Sequence, residues 1–147
     1  MEKELIAEVS IKIKAPIAKV WDALINPETI KQYMFGTEVT SDWKVGSPIV
    51  WKGVWKEKPY EDKGKILKME PEQTLKYSHF SPLAGLPDIP ENYHTLTYKL
   101  SKEKNEIFVS LSQDNNENEK ALEHSKEMWQ KLLDELKKVL EDNLTSL

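Results

Sequence analysis

Hydrophobic and polar positions repeat with two different periods along this chain, and the changes of period mark its elements. From Asn116 to Leu144, residues such as Leu122, Ser125, Trp129, Leu132, Leu133, Leu136 and Leu140 recur at steps of three and four. This spacing predicts an amphipathic helix with one buried face. At 1.5 Å per residue, about 28 residues make a rod roughly 42 Å long, enough to cross about seven strands spaced roughly 4.8 Å apart. Asn116 and Glu119 predict a capping box at its start, and Glu127 with Lys131 and Asp134 with Lys138 sit four apart on the solvent side. The stripe is too wide for a coiled-coil seam, and Trp129 suits a concave surface better than a knob position.

Ahead of this rod the period is two. Leu5, Ala7, Val9, Ile11 and Ile13 alternate with mostly polar neighbours and predict a first strand. Pro16 opens a short helix through about Ile25, Asn26-Pro27 breaks it, and a second short helix runs from Glu28 to about Met34. From Thr37 strand-like alternation returns, with expected strands over Thr37–Trp43, Pro48–Lys56, Tyr60–Met69, Thr74–Phe80, Tyr93–Leu100 and from Ile107 onward. Which face of the Tyr60 strand is buried is left open by its pattern. Ser81 to Asn92 holds Pro82, Pro87, Pro90 and Gly85, so it predicts a stiffened loop, either a lid or a plain connector.

The predicted order is one strand, two short helices, about six antiparallel strands and one long helix. A sheet with one greasy face and a helix long enough to span it form two layers. The expected fold is therefore α+β of the helix-grip kind: a curved antiparallel sheet of about seven strands wrapped around one long C-terminal helix. Such a grip can leave space at one end, where small apolar molecules bind.

Composition narrows the function. A chain of 147 residues with 39% apolar content suits a single domain over residues 1–147. It has no cysteine, which excludes disulfides and cysteine-ligated metals. No leader-like or membrane-spanning run stands out, so a cytoplasmic setting is expected and no membrane partner. All 21 basic residues are lysine and the net charge is −4. Without guanidinium forks or a dense basic run, nucleic acid is not an expected partner.

The segment Lys14-Ala-Pro-Ile-Ala-Lys-Val-Trp-Asp-Ala-Leu-Ile-Asn-Pro-Glu-Thr-Ile-Lys-Gln-Tyr33 resembles the opening of the activator of heat shock protein 90 ATPase homologue-like family. That family belongs to the START-like superfamily, with its Bet v 1-like members. Pro16, Val20-Trp21, Pro27 and Tyr33 fill its characteristic places, and the similarity continues through the Gly46 turn, Gly64 to Pro71, Thr74 to Tyr77 and Met128-Trp129. The resemblance implies the same helix-grip fold and a choice between ligand binder and co-chaperone-like module. Two positions depart from it: Met128 stands where glycine usually precedes the tryptophan, which would narrow a cavity there, and the arginine common after the Gly46 turn is absent.

The chemistry follows from what faces the grip. Nucleophilic catalysis has no elbow motif or cysteine to use, the five glycines are too dispersed for a phosphate loop, and His79, His94 and His124 show no metal-ligand spacing. No catalytic residue, metal or cofactor is expected. Strand alternation aims Leu75, Tyr77 and His79 one way. Trp51, Trp55, Tyr77, His79, Tyr98, Trp129 and Leu133 are thus the candidate lining of a ligand site, although inner aromatics also serve as plain core. Three readings stand: a binder of a hydrophobic small molecule or lipid; a co-chaperone-like or regulatory module meeting a protein partner; and a cyclase-like enzyme using Tyr77 or His79. The chain is expected as a monomer or homodimer.

Overall fold

The computed structural model describes residues 5–82 and 85–145, with the backbone alone at Trp55 and at 143–145. The elements run β1 (Ala7–Ile13), α1 (Ile17–Ile25), α2 (Pro27–Tyr33), β2 (Glu38–Ser41), β3 (Pro48–Trp55), β4 (Lys58–Glu70), β5 (Thr74–His79), β6 (His94–Glu103), β7 (Glu106–Gln113) and α3 (Glu119–Thr145). The strands form one seven-stranded sheet in the order β1-β7-β6-β5-β4-β3-β2, and each neighbouring pair is antiparallel. The insertion of α1 and α2 after β1 sends the chain to the far edge of the sheet. It then meanders back until β7 pairs with β1. This is the expected helix-grip architecture.

Local chemistry explains the short helices. The Pro16 carbonyl accepts from Lys19 N and Val20 N, starting α1. Asn26 then ends α1 and begins α2: its side chain accepts from Glu28 N at 3.0 Å, with Pro27 in the first turn where a missing N–H costs nothing. The Tyr33 hydroxyl donates to the Ala23 carbonyl at 2.8 Å and locks the two helices together.

The sheet bends where its sequence permits. A bulge interrupts the β4–β5 register between Ile66 and Lys68. Beside it, a Cβ on Gly64 would lie 1.7 Å from the Ser78 carbonyl oxygen, so only glycine lets β5 come this close. The inward face of β4 is the one carrying Asp62, Gly64 and Ile66, with Ile66 fully buried. Two hairpin turns lack the usual Asn-Gly signal: Lys56 and Glu57 both take positive φ, which lets β4 begin at Lys58, earlier than its alternation predicts. Lys104 does the same between β6 and β7.

α3 begins later than predicted. Asn118, not Asn116, supplies the cap, its Oδ1 accepting from Ala121 N at 2.8 Å. Asn116 is instead buried and tied to the Leu5 and Gln113 carbonyls, while accepting from the Ser125 hydroxyl at 2.7 Å. Among the described residues the predicted pairs Glu127–Lys131 and Asp134–Lys138 do not close. Lys137 and Glu141 do, at 2.7 Å. Lys137 Nζ also donates to the Lys12 carbonyl and Gln130 to the Ser10 carbonyl, which covers the otherwise open edge of β1.

The core lies between the inward sheet face and α3. Ile13, Ile49, Ile66, Leu75, Val109, Leu133 and Leu136 have no exposed surface. Met128, expected to narrow a cavity, is 43% exposed on the flank of α3, so it does not fill the interior.

Candidate functional site

The inward face of the sheet changes character along the strands. Its middle is apolar, but the ends of β5, β6 and β7 carry His79, His94 and Gln113, with Asp62 of β4 bonded to His79 and Trp129 of α3 reaching into the same cluster. Register brings them together: His79 pairs with His94, Leu96 with Gln113, and Trp51 with Asp62. The two imidazoles stack with centroids 6.4 Å apart. His124, the third histidine, is exposed on α3. Among the described residues, no three histidine, aspartate or glutamate side chains are placed to hold a metal ion.

Hydrogen bonds fix these groups. His79 Nε2 donates to Asp62 Oδ2 at 2.9 Å. The other carboxylate oxygen, Asp62 Oδ1, is buried and meets no donor among the described residues. Trp129 Nε1 donates to Gln113 Oε1 at 2.5 Å, and Gln113 Nε2 donates to Asn116 Oδ1 at 3.4 Å. His94 Nδ1 stands 3.0 Å from the Asp114 carbonyl and 3.1 Å from Gln113 Nε2, so its tautomer decides which bond it makes. Backbone geometry reinforces the corner, since Asp114 Oδ1 accepts from Thr95 N at 2.6 Å.

Of the residues expected to line a site, Trp51, Tyr77, His79 and Tyr98 do come together. The Trp51 ring lies 5.1 Å from Tyr77 and 5.0 Å, edge-on, from His79, and Tyr77 lies 6.1 Å from Tyr98. The Tyr77 hydroxyl donates to that of Tyr98 at 3.4 Å. Burial pushes the Tyr77 phenol well above its usual range, and Tyr98 adds to the shift, which makes Tyr77 a poor acid or base near neutrality. Trp129 is half-buried and bonded to Gln113, Leu133 is fully buried in the same core, and the Trp55 side chain lies outside the described residues. Asp62, His94 and Gln113 were missed by sequence reasoning. Their only signal was an inward strand position, and for Asp62 the face of its strand was undecided.

The interior beneath this polar end is filled. Leu133 has no exposed surface and Tyr98 only 1%, whereas a void of about 300 Å³ would leave accessible surface on its walls. Hollows among the described residues lie elsewhere. One, about 450 Å³, runs along α3 beside Val9, Glu123, Lys126 and Gln130. Another, about 520 Å³, is on the outer sheet face, among Lys63, Lys65, Ser78, Asp88 and Tyr93. The proline-rich loop is bound to that outer face: Phe80 stacks on Tyr93 at 5.1 Å, Tyr93 donates to Asp88 at 2.6 Å, and Lys63 pairs with Asp88. The hydrogen bonds from Lys63 and Tyr93 hold the Asp88 carboxyl below its ordinary range. This arm of the loop is therefore a strap on the outside, and not a lid over the grip.

Comparison with known proteins adds context. The model of the family described as "Activator of Hsp90 ATPase homolog 1-like protein" matches residues 14–141. A protein from Cytophaga hutchinsonii, whose structure was determined in solution, is 58% identical, with 99% of each chain covered and a TM-score of 0.86. The Aha1 dimer from Colwellia psychrerythraea is 24% identical over 92% of this chain and 96% of that one, with a TM-score of 0.72. CalU16 from Micromonospora echinospora is 22% identical over 95% of this chain and 78% of that one, also at 0.72. The last two likenesses concern the fold. No curated protein matches the chain.

Proposed function

This chain belongs to the Activator of Hsp90 ATPase homolog 1-like protein family, and on that premise we propose that it binds a small molecule with an apolar body between the sheet and α3. The family and fold fit a ligand-binding or regulatory role; the finer reading rests on one observation. Polar groups from four adjacent strands, Asp62, His79, His94 and Gln113, face inward at a single end of an otherwise apolar interior. An amphiphile matches that gradient, its body against Trp51, Tyr77, Tyr98, Trp129 and Leu133 and its head among the polar residues.

The filled interior sets a condition on entry. The body of the ligand must displace a side chain, and Trp129 is the one placed to move, being half-buried and held at its rim by a single hydrogen bond to Gln113. Its displacement returns the indole N–H to water or to the ligand head, so little hydrogen bonding is lost. Binding then proceeds from a minor open state, which lowers the apparent affinity by the fraction of chains that are open.

The test is native mass spectrometry of freshly purified protein, combined with indole N–H resonances during titration with 1-decanol. The reading expects a retained small-molecule adduct or a saturable shift of the Trp129 resonance. A bare chain whose indole resonances stay fixed defeats it. The co-chaperone-like alternative draws on the family description alone, and the most exposed apolar residues, Phe35, Val45 and Val54, belong to two separate turns and a strand.

A further inference from the structure

Resting on the reading above, we infer that the polar end selects ligands whose head donates hydrogen bonds, an ammonium or a hydroxyl, and rejects carboxylate heads. A carboxylate only accepts. One Asp62 oxygen is satisfied by His79 at 2.9 Å, whereas Oδ1 is buried without a donor among the described residues. Buried polar atoms are nearly always partnered, so Oδ1 calls for a donor from outside the chain, a water or the head of a ligand that displaces it. The Asp62 side chain is 14% exposed and that of His79 23%, so a head could reach the pair from the rim without dismantling the fold.

The surroundings favour a donor in three further ways. Low local dielectric strengthens a hydrogen bond or ion pair made to this oxygen relative to the same bond in water. Trp51, the strand partner of Asp62, adds an aromatic ring on the same face, and aromatic rings attract nearby cations. A second carboxylate placed here would meet the like charge of Asp62 in a poorly solvated position. An inorganic cation is a worse fit than an organic one, because no three potential ligands converge among the described residues.

Three probes sharing one alkyl chain and differing only in the head test this: decylammonium, 1-decanol and decanoate. Affinities are measured by calorimetry at neutral pH, with indole and imidazole resonances as site markers. Decylammonium and 1-decanol are expected to bind about tenfold or more tightly than decanoate, as befits one charge-assisted hydrogen bond gained or refused. Asp62→Asn, which offers a donor as well as an acceptor, should erase that order. Equal affinities for the three heads, or an order that survives Asp62→Asn, would overturn the inference and leave the apolar-body reading standing. Binding by none of the three overturns both. Should Asp62→Asn fail to fold, the ranking in the unsubstituted protein decides by itself.

Discussion

Three phenols sit inside this core, and each behaves as a switch held in one position. Tyr33, Tyr77 and Tyr98 are 1%, 4% and 1% exposed. Burial pushes the Tyr98 phenol up to about 12, partly offset by its bond with Tyr77. Tyr33 and Tyr77 are raised well above their usual range, first by burial and then by Tyr98. In the unfolded chain all three ionise near pH 10. Above that pH the unfolded state therefore holds fewer protons than the folded one, so stability is complete below about pH 10 and falls as the pH rises toward the folded values. Each phenol contributes a slope of up to about 1.4 kcal/mol per pH unit, or about 4 for the three. Thermal melts between neutral and strongly alkaline pH should show the midpoint dropping steeply, with three of the five tyrosinate absorbances appearing only together with unfolding. Titration of all five phenols in a still-folded protein would contradict the burial described.

At the scale of elements, the junction between β7 and α3 separates two asparagines that look alike in sequence. Asn118 is a surface cap: one side-chain bond to Ala121 N. Asn118→Ala is expected to cost about 1 kcal/mol, the usual loss for a helix cap. Asn116 is buried and joins the segment before β1, the end of β7 and the Ser125 hydroxyl of α3. Removing it takes the acceptor from the buried Ser125 hydroxyl and one donor from each of the two carbonyls, Leu5 keeping the bond from the residue-116 N–H; a buried polar group left unsatisfied costs about 1–3 kcal/mol. Asn116→Ala should accordingly destabilise at least twice as much as Asn118→Ala in denaturant unfolding. Equal losses would mean that the buried network contributes nothing beyond a cap.

The whole molecule is a sheet closed tightly around a rod, and Leu133 is at the centre of that closure. It has no exposed surface and belongs to the same core as Trp51, Tyr77 and Tyr98. Leu133→Ala should cost about 2–5 kcal/mol, the transfer loss plus the cavity left behind. The same cavity would sit where the apolar body of a ligand is proposed to lie, so the variant should bind 1-decanol more tightly than the parent while melting earlier. A destabilised variant with unchanged 1-decanol affinity would place any ligand away from this part of the interior.

The order of elements, the grip and the identity of the buried helix face were legible in the sequence, because strand and helix periods are local and a one-sided apolar rod of this length has few ways to be covered. So were Trp51, Tyr77, His79 and Tyr98 as neighbours on one face, since alternation fixes side. Asp62, His94 and Gln113 became visible as one cluster only through strand register, which is set by hairpin turns that lack their usual residues at Lys56-Glu57 and by the bulge near Ile66. Tertiary structure also decided that Asn116 serves the interior and Asn118 the cap, and that the space under the aromatics is filled. Both depend on how separate elements meet, and no local pattern in a chain encodes the volume left between them.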